Sequence, residues 1–383
     1  MLESHFCLIQ RIYLEETMRI YINARFLTQP VTGVQRGAVE LVKALDMLID
    51  RGEIDSSQYS FCLLSPNKVR YELNLKHIPL HKVGFLSGHA WEQIELPLYS
   101  YSGLLISLCN AAPLLKFNQI VTIHDALVFG LPQAFSIAFR TWYKLLSKVL
   151  GITARKIITD SFFSKGELIK YCGIAESKLR VLYFGKDHIL SVKPGDNFLE
   201  KHRLLDKPFL LVVSSINNPN KNFNSIVKAM ELLGNMKFDV VITGGTKLHP
   251  NVFSQLGIPL SLSNLKNVGY VNDSELRTLY EHAACFAYPS FYEGFGLPPL
   301  EAMTCGCPVV VSNTSSLPEV CGEAAYYVNP YSVESIAEGI HKVLTDEDLR
   351  KSLIQKGFER VKMFSWENYA REALKIFEEV LHS

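Results

Sequence analysis

The sequence predicts an α/β protein made of two doubly wound domains of similar size that face each other across a cleft. Three observations carry this. The chain has 383 residues, more than one core ordinarily serves. From Arg19 onward, short β-branched runs alternate with amphipathic helical stretches, the pattern of parallel sheets covered on both faces. The alternation lapses once, at "FGKDHILSVKPGDN" (184–197), where Gly, Pro and polar residues cluster, and then resumes.

Each element can be read from its local pattern. Residues 1–17 form no orderly unit. Their apolar core "FCLIQ" is short for a signal peptide, and the charged residues Arg11, Glu15 and Glu16 come directly after it. They read as an N-terminal extension, or Met18 as the true start. "RIYIN" is a buried strand. The helix after it, "TGVQRGAVELVKAL", sets Val34, Ala38, Leu41, Val42 and Leu45 at helical spacing. "YSFCLLS", "GLLISLC", "QIVTIHD" and "RKIITDS" are further strands, and "AFRTWYKLLSKVL" and "FFSKGELIKYC" are helices. Beyond the break come the strands "PFLLVVSS", "FDVVITGG", "KNVGYV", "CFAYPS" and "PVVVS", with "SELRTLYEHAA" among the helices between them. The chain ends in "SVESIAEGIHKVL", "DEDLRKSLIQKGFERVKM" and "SWENYAREALKIFEEVL", all helical. The expected division is 18–187 for the first domain and 188–364 for the second. A closing helix over 365–383 crosses back to the first and couples closure to binding.

Composition narrows the function. Hydrophobic content of 48% and charged content of 20% fit a soluble globular protein. A net charge of +1 argues against nucleic acid as partner. Residues 1–190 carry 21 basic and 16 acidic side chains, the remainder 18 and 22. That asymmetry is either chance or a basic face for an anionic surface or substrate. Eight cysteines form no CxxC pair and no zinc spacing, so no metal is expected. Buried free thiols in a reducing, cytoplasmic setting are expected instead. No apolar run reaches the ~18 residues that span a bilayer. The stretch 139–156 mixes Trp142, Tyr143 and paired leucines with five basic residues. It is either an ordinary amphipathic helix or a docking segment for the anionic inner face of the cytoplasmic membrane.

In two facing doubly wound domains, ligands bind at the carboxyl ends of the strands, so function lies in the loops beyond those ends. "YPSFYEGFGLPPLEAM" (288–303) is such a loop. Glu293 and Glu301 flank seven residues with two glycines and two prolines. "PPLEAM" begins a helix, since Pro suits the first helical position. Gly294 and Gly296 allow close backbone approach, and the helix N-terminus suits an anion. The two carboxylates either engage two ends of one extended ligand, or Glu301 merely complements the helix dipole while Glu293 is solvated.

The sequence resembles the retaining glycosyltransferases of family 4, mannosyl- and rhamnosyltransferase-like members included. The resemblance rests on "EGFGLPPLEAM" followed by "GCPVVVSNTSSLPEV", and on "NARFLTQPVTGVQR", "VTIHD", "DSFFSKGEL", "NPNKNF" and "GYVNDSEL" in the family's order. It covers residues 19–380 and implies the GT-B fold, with two Rossmann-like domains. It also implies a nucleotide diphosphate sugar donor, GDP-mannose-like as first choice, and no cofactor or metal. The acceptor it implies is a saccharide or lipid-linked oligosaccharide in cell-surface polysaccharide or O-antigen-type synthesis. By the same resemblance, Glu293 matches the glutamate at the donor sugar and Glu301 the one on the ribose hydroxyls. The amides of Gly294, Phe295, Gly296 and Leu297 match those on sugar and diphosphate. Lys221 matches the diphosphate lysine, His124 a histidine beside the transferred sugar, and Gly33 the loop glycine that admits donor and acceptor.

Elementary chemistry supports these assignments. Breaking a sugar–diphosphate bond builds negative charge on the leaving phosphate, and one fixed donor there is worth roughly 3–4 kcal/mol. An oxocarbenium-like sugar needs an electron-rich neighbour, which His124 or its backbone can supply. There is one departure from the family. Ser215 and Asn220 stand where an arginine commonly assists the lysine, so Arg36 of the first domain is a candidate replacement. Asp125 orients His124 or holds its loop. Ser161 and Ser164 cap the next helix, and Ser161 is also placed to touch acceptor. "NTSSLPEV" closes over the base side, with Glu319 as a helix cap. The alternatives are a sugar-phosphate synthase with a small soluble acceptor and a non-catalytic assembly subunit. A nicotinamide-dependent dehydrogenase is disfavoured, because the first turn lacks G-x-G-x-x-G.

Overall fold

The computed structural model describes residues 17–213, 218–234, 237–245 and 264–383. The expectation for the N-terminal extension therefore lies outside the described residues, apart from Thr17.

Two all-parallel sheets organise the chain. The first holds β1 (Met18–Asn23), β2 (Tyr59–Ser65), β3 (Leu80–Lys82), β4 (Leu104–Ser107), β5 (Gln119–Thr122), β6 (Lys156–Thr159) and β7 (Leu179–Val181), in the order β3-β2-β1-β4-β5-β6-β7. The second holds β8 (Phe209–Val213), β9 (Asp239–Thr243), β10 (Leu265–Gly269), β11 (Cys285–Tyr288), β12 (Val309–Ser312) and β13 (Ala325–Val328), in the order β10-β9-β8-β11-β12-β13. Every residue of β4, β5, β9, β11 and β12 is buried, as strands covered on both faces must be. Sequential order reverses between β1 and β4 in one sheet and between β8 and β11 in the other. Those two switch points are where crevices open in such sheets.

Helices cover both sheets. We label α1 (Gly33–Asp50), α2 (Ile137–Thr153), α3 (Phe162–Cys172), α4 (Phe223–Leu233), α5 (Asp273–His282), α6 (Leu297–Thr304), α7 (Val333–Thr345), α8 (Glu347–Arg360) and α9 (Trp366–Leu381). Their starts are written in the sequence. Thr32 and Gln35 form a capping box on α1, and Asn272 and Glu275 form another on α5. Ser161 caps α3 by accepting from the Ser164 amide at 3.0 Å.

The last helix belongs to the first sheet's side. Tyr369, Ala370, Ala373, Ile376, Phe377 and Val380 form a buried stripe at helical spacing. It packs α9 against α1, so the chain passes between the two halves twice, after β7 and before α9.

Candidate active site

The second sheet's switch point places two loops side by side. The loop after β8 carries Lys221, and the loop after β11 carries Glu293. Two asparagines fix the first loop to the second. Asn220 donates to the Tyr292 carbonyl at 2.6 Å, and its own carbonyl accepts from the Phe291 amide at 2.9 Å. Asn222 donates to the carbonyls of Pro289 and Pro330. Held this way, the Lys221 ammonium meets Glu293 Oε1 at 2.7 Å and the Tyr288 hydroxyl, and it lies 4.7 Å from the centre of the Tyr288 ring. Burial alone would lower the Lys221 pKa, but Glu293 and Tyr288 outweigh it and raise it. The lysine is therefore a cation throughout the working pH range. Asn220, one of the two positions where the family commonly has an arginine, is buried and structural. Ser215, the other such position, lies outside the described residues.

The donor loop continues into α6 through two glycines that no other residue can replace without displacement. A Cβ on Gly294 would sit 2.8 Å from Asp125 Cβ and 2.9 Å from the His124 carbonyl oxygen. Gly296 has φ +110°, and a Cβ there would sit 2.7 Å from Leu317 Cδ2. Ser316 accommodates the loop by donating to the carbonyls of Glu293 and Phe295. No described residue accepts from the amides of Gly294, Phe295, Gly296 or Leu297, so these donors remain available beside the N-terminus of α6. The rings of Phe295 and Phe364 pack edge to face, and Leu297 is also buried.

The first half grips this loop directly. Ser161 and Ser164 donate to the Gly294 carbonyl at 2.6 and 3.0 Å. The expected caps thus also clamp the donor loop across the cleft. Glu319, expected to cap a helix, caps one in the opposite half. Its carboxylate accepts from the amides of Phe162 and Phe163 at 2.7 and 3.0 Å and from the Tyr183 hydroxyl.

Glu301 lies in the first turns of α6 and is 7% exposed. Its Oε1 meets His188 Nε2 at 2.7 Å, and its Oε2 accepts from the Tyr280 hydroxyl at 3.2 Å. Neither partner is evident from sequence alone. His188 falls in the stretch that reads only as a linker, and Tyr280 lies on α5 among ordinary core positions.

Two expectations for the first half need correction. The His124 ring is buried, with Nδ1 2.7 Å from Asp160 and Nε2 3.0 Å from the Leu108 carbonyl. Both nitrogens are engaged, so the imidazole is not an electron-rich face turned to a sugar. Burial would lower its pKa, but the Asp160 carboxylate raises it well above the ordinary value. The His124 carbonyl, the other part of that expectation, faces Gly294. Arg36 is the other correction, as the candidate second phosphate cation. It instead forms a two-pronged contact with Asp273 at 2.5 and 2.7 Å and reaches Glu40 at 3.4 Å. Its charge is already matched by two carboxylates, and its bond to α5 ties the halves together.

Asp125 and Gly33 open onto a cavity on the first half. Asp125 Oδ1 accepts from the Leu127 amide at 2.9 Å, so it holds its own loop rather than His124. Burial pushes its carboxyl pKa up, with the Leu127 amide opposing. Gly33 has nothing within 4 Å of where a Cβ would stand. Next to it lies a cavity of about 240 Å³ lined by Thr32, Gln35, Asn110 and Asp125, with Phe139 and Tyr143 opposite. Arg25, at its floor, pairs with the buried Glu92 at 3.0 Å. No local motif announces that pair, whose members lie 67 positions apart.

Two facing parallel-sheet halves with a lysine–glutamate pair at one switch point define a GT-B protein of the glycosyltransferase class. The comparisons with known proteins agree. The glycosyl transferases group 1 family model matches residues 196–360. O-antigen chain mannosyltransferase B of Escherichia coli is 30% identical over 386 aligned residues, 94% of this chain and 100% of its own length. O-antigen chain mannosyltransferase RfbU of Salmonella typhimurium is 28% identical, over 63% of this chain and 64% of its own. Among solved structures, a sucrose-phosphate synthase from Thermosynechococcus elongatus superposes with a TM-score of 0.73 at 17% identity, covering 96% of this chain and 99% of that one. WaaG, a glycosyltransferase involved in lipopolysaccharide biosynthesis, gives 0.69 at 16%, covering 94% and 99%. The chain belongs to the glycosyl transferases group 1 family and is a glycosyltransferase.

Proposed function

We propose that the protein is a retaining transferase that moves a hexose or deoxyhexose from a nucleotide diphosphate sugar to a saccharide hydroxyl. The observation that carries this reading is the Lys221–Glu293 pair at the switch point, with unpaired loop amides and a helix N-terminus between Glu293 and Glu301. An incoming diphosphate takes the Lys221 ammonium and the amides of residues 294–297. These offset the charge that grows on the leaving phosphate without a metal. Glu293, released from part of its pairing, accepts from sugar hydroxyls, and Glu301 accepts from the ribose. The His124 carbonyl faces the loop where positive charge develops on the sugar. Asp125 is the carboxylate nearest Gly294, and the Leu127 amide occupies one of its oxygens. That favours front-face displacement over a covalent intermediate.

A GDP-mannose-like donor is the first choice, because the relatives matched over most of this chain or nearly two thirds of it are named O-antigen mannosyltransferases. The acceptor we propose is a growing cell-surface polysaccharide or lipid-linked oligosaccharide, seated in the cavity beside Gly33 and Asp125. No described helix is long and apolar enough to cross a membrane. Docking on an anionic membrane surface is supported by α2. There Trp142 and Tyr143 turn inward, while Ile137, Leu145 and Ile152 are exposed beside Lys148. Phe117 and Ile152 share a groove with Arg155, Lys156 and Lys178.

The test incubates the protein with GDP-mannose, UDP-glucose or dTDP-rhamnose and a lipid-linked oligosaccharide, and reads the product anomer by NMR. Transfer with the donor's anomeric configuration kept is expected. An inverted product, or no turnover of any sugar nucleotide, would contradict the reading.

A further inference from the structure

We propose that His188 is a positioning residue. Trp366 holds it as a single tautomer, and it orients Glu301 for the two hydroxyls of a nucleotide ribose. This ties nucleotide binding to both points where the chain passes between its halves. The inference rests on the reading of Glu301 as the ribose carboxylate.

The geometry starts from the indole. Trp366 Nε1–H can only donate, and it lies 3.0 Å from His188 Nδ1. That nitrogen must therefore accept, which puts the ring proton on Nε2. Nε2–H then donates to Glu301 Oε1 at 2.7 Å, and the Tyr280 hydroxyl donates to Oε2 at 3.2 Å. A carboxylate offers about four acceptor positions. Two are used, one on each oxygen, and the two left suit a vicinal diol. His188, Trp366, Tyr280 and Glu301 are all buried, so these bonds have no competing water to loosen them.

The relay's far end is the crossover. His188 lies in the turn Asp187–Ile189, on the first passage between halves, and Trp366 opens α9 on the second. The two passages touch. Asp187 Oδ2 accepts from the Trp366 amide at 3.0 Å, and a Cβ on Gly185 would lie 2.6 Å from the Ser365 carbonyl carbon. Any turn of Glu301 toward a ligand is thus felt at the joint between the halves.

The test measures, by calorimetry, the affinity ratio between GDP or UDP and its 2′,3′-dideoxy counterpart. Because the ratio compares two ligands on one sample, a partly unfolded variant does not distort it. Wild type should favour the ribose form by about tenfold or more, the scale of hydrogen bonds to a charged group. Glu301→Ala should bring the ratio near one. His188→Leu and Trp366→Phe should lower it at least about threefold (~0.6 kcal/mol) with little change in dideoxy affinity. His188→Gln, whose amide can accept from the indole and donate to the carboxylate, should restore most of it. If Glu301→Ala abolishes the preference while His188→Leu or Trp366→Phe retains it, the relay is wrong. If Glu301→Ala itself retains the preference, the ribose reading falls and the relay with it.

Discussion

At the scale of single residues, the site is a set of charges that neutralise one another until a ligand arrives. Lys221 and Glu293 are largely enclosed, with 21% and 12% of their side chains exposed. Removing one leaves the other unpaired. Lys221→Met and Glu293→Gln should each cost about 2 kcal/mol of stability, somewhat below the cost of breaking a fully buried pair. The double variant should cost less than the two together, as denaturant titration of the four proteins will check. Turnover in either single variant should fall about 10²–10³-fold. His124 gives a second prediction. A pKa raised in the folded state means the imidazolium stabilises the fold fully below about pH 6.5 and loses that contribution as pH climbs through the raised value. By NMR, the His124 ring should therefore not titrate near neutrality. In Asp160→Asn, where burial acts without the carboxylate, it should titrate below its ordinary value. Glu293, Glu301 and Lys221 are legible in the sequence because a loop motif fixes their spacing. His188, Tyr280, Asp160 and Glu92 are not, because each meets its partner through the fold at large sequence separation.

At the scale of elements, the donor loop is a hinge point between halves as well as a ligand floor. Its carbonyl at Gly294 is held by two hydroxyls at the N-terminus of α3, and its α-carbon touches the loop after β5. Gly294→Ala leaves each half intact but pushes them apart. Melting should shift by only a few degrees, the effect of about 1 kcal/mol. Small-angle scattering should show a larger radius of gyration than wild type, and turnover should drop at least tenfold. A compact, active Gly294→Ala protein would remove the clamp from the account. The central strands are readable as β-branched runs buried on both faces. β3, β7 and β13 are not. All three are edge strands of three or four residues, kept short as exposed edges usually are, and so too brief for a periodic signal. The turn-rich helical stretch at 88–99 escapes a sequence reading for a related reason: Gly88 and Pro97 break the pattern that a helix would otherwise show.

At the scale of the whole molecule, the two halves are joined by contacts that sequence motifs do not announce. Arg36 reaches Asp273, Glu319 reaches the start of α3, and α9 returns to α1. The two-domain plan is legible because one lapse in periodicity separates two series of alternating elements. Which surfaces meet is not, since that depends on pairings across hundreds of residues. The central claim is that a nucleoside diphosphate binds between Lys221, the donor-loop amides and Glu301. Calorimetry of GDP, UDP and NADH against wild type, Lys221→Ala and Glu301→Ala tests it most directly. We predict micromolar binding of GDP or UDP, weakened about tenfold or more in each variant, and no binding of NADH. Tight NADH binding, or nucleoside diphosphate binding unchanged in both variants, would contradict the account.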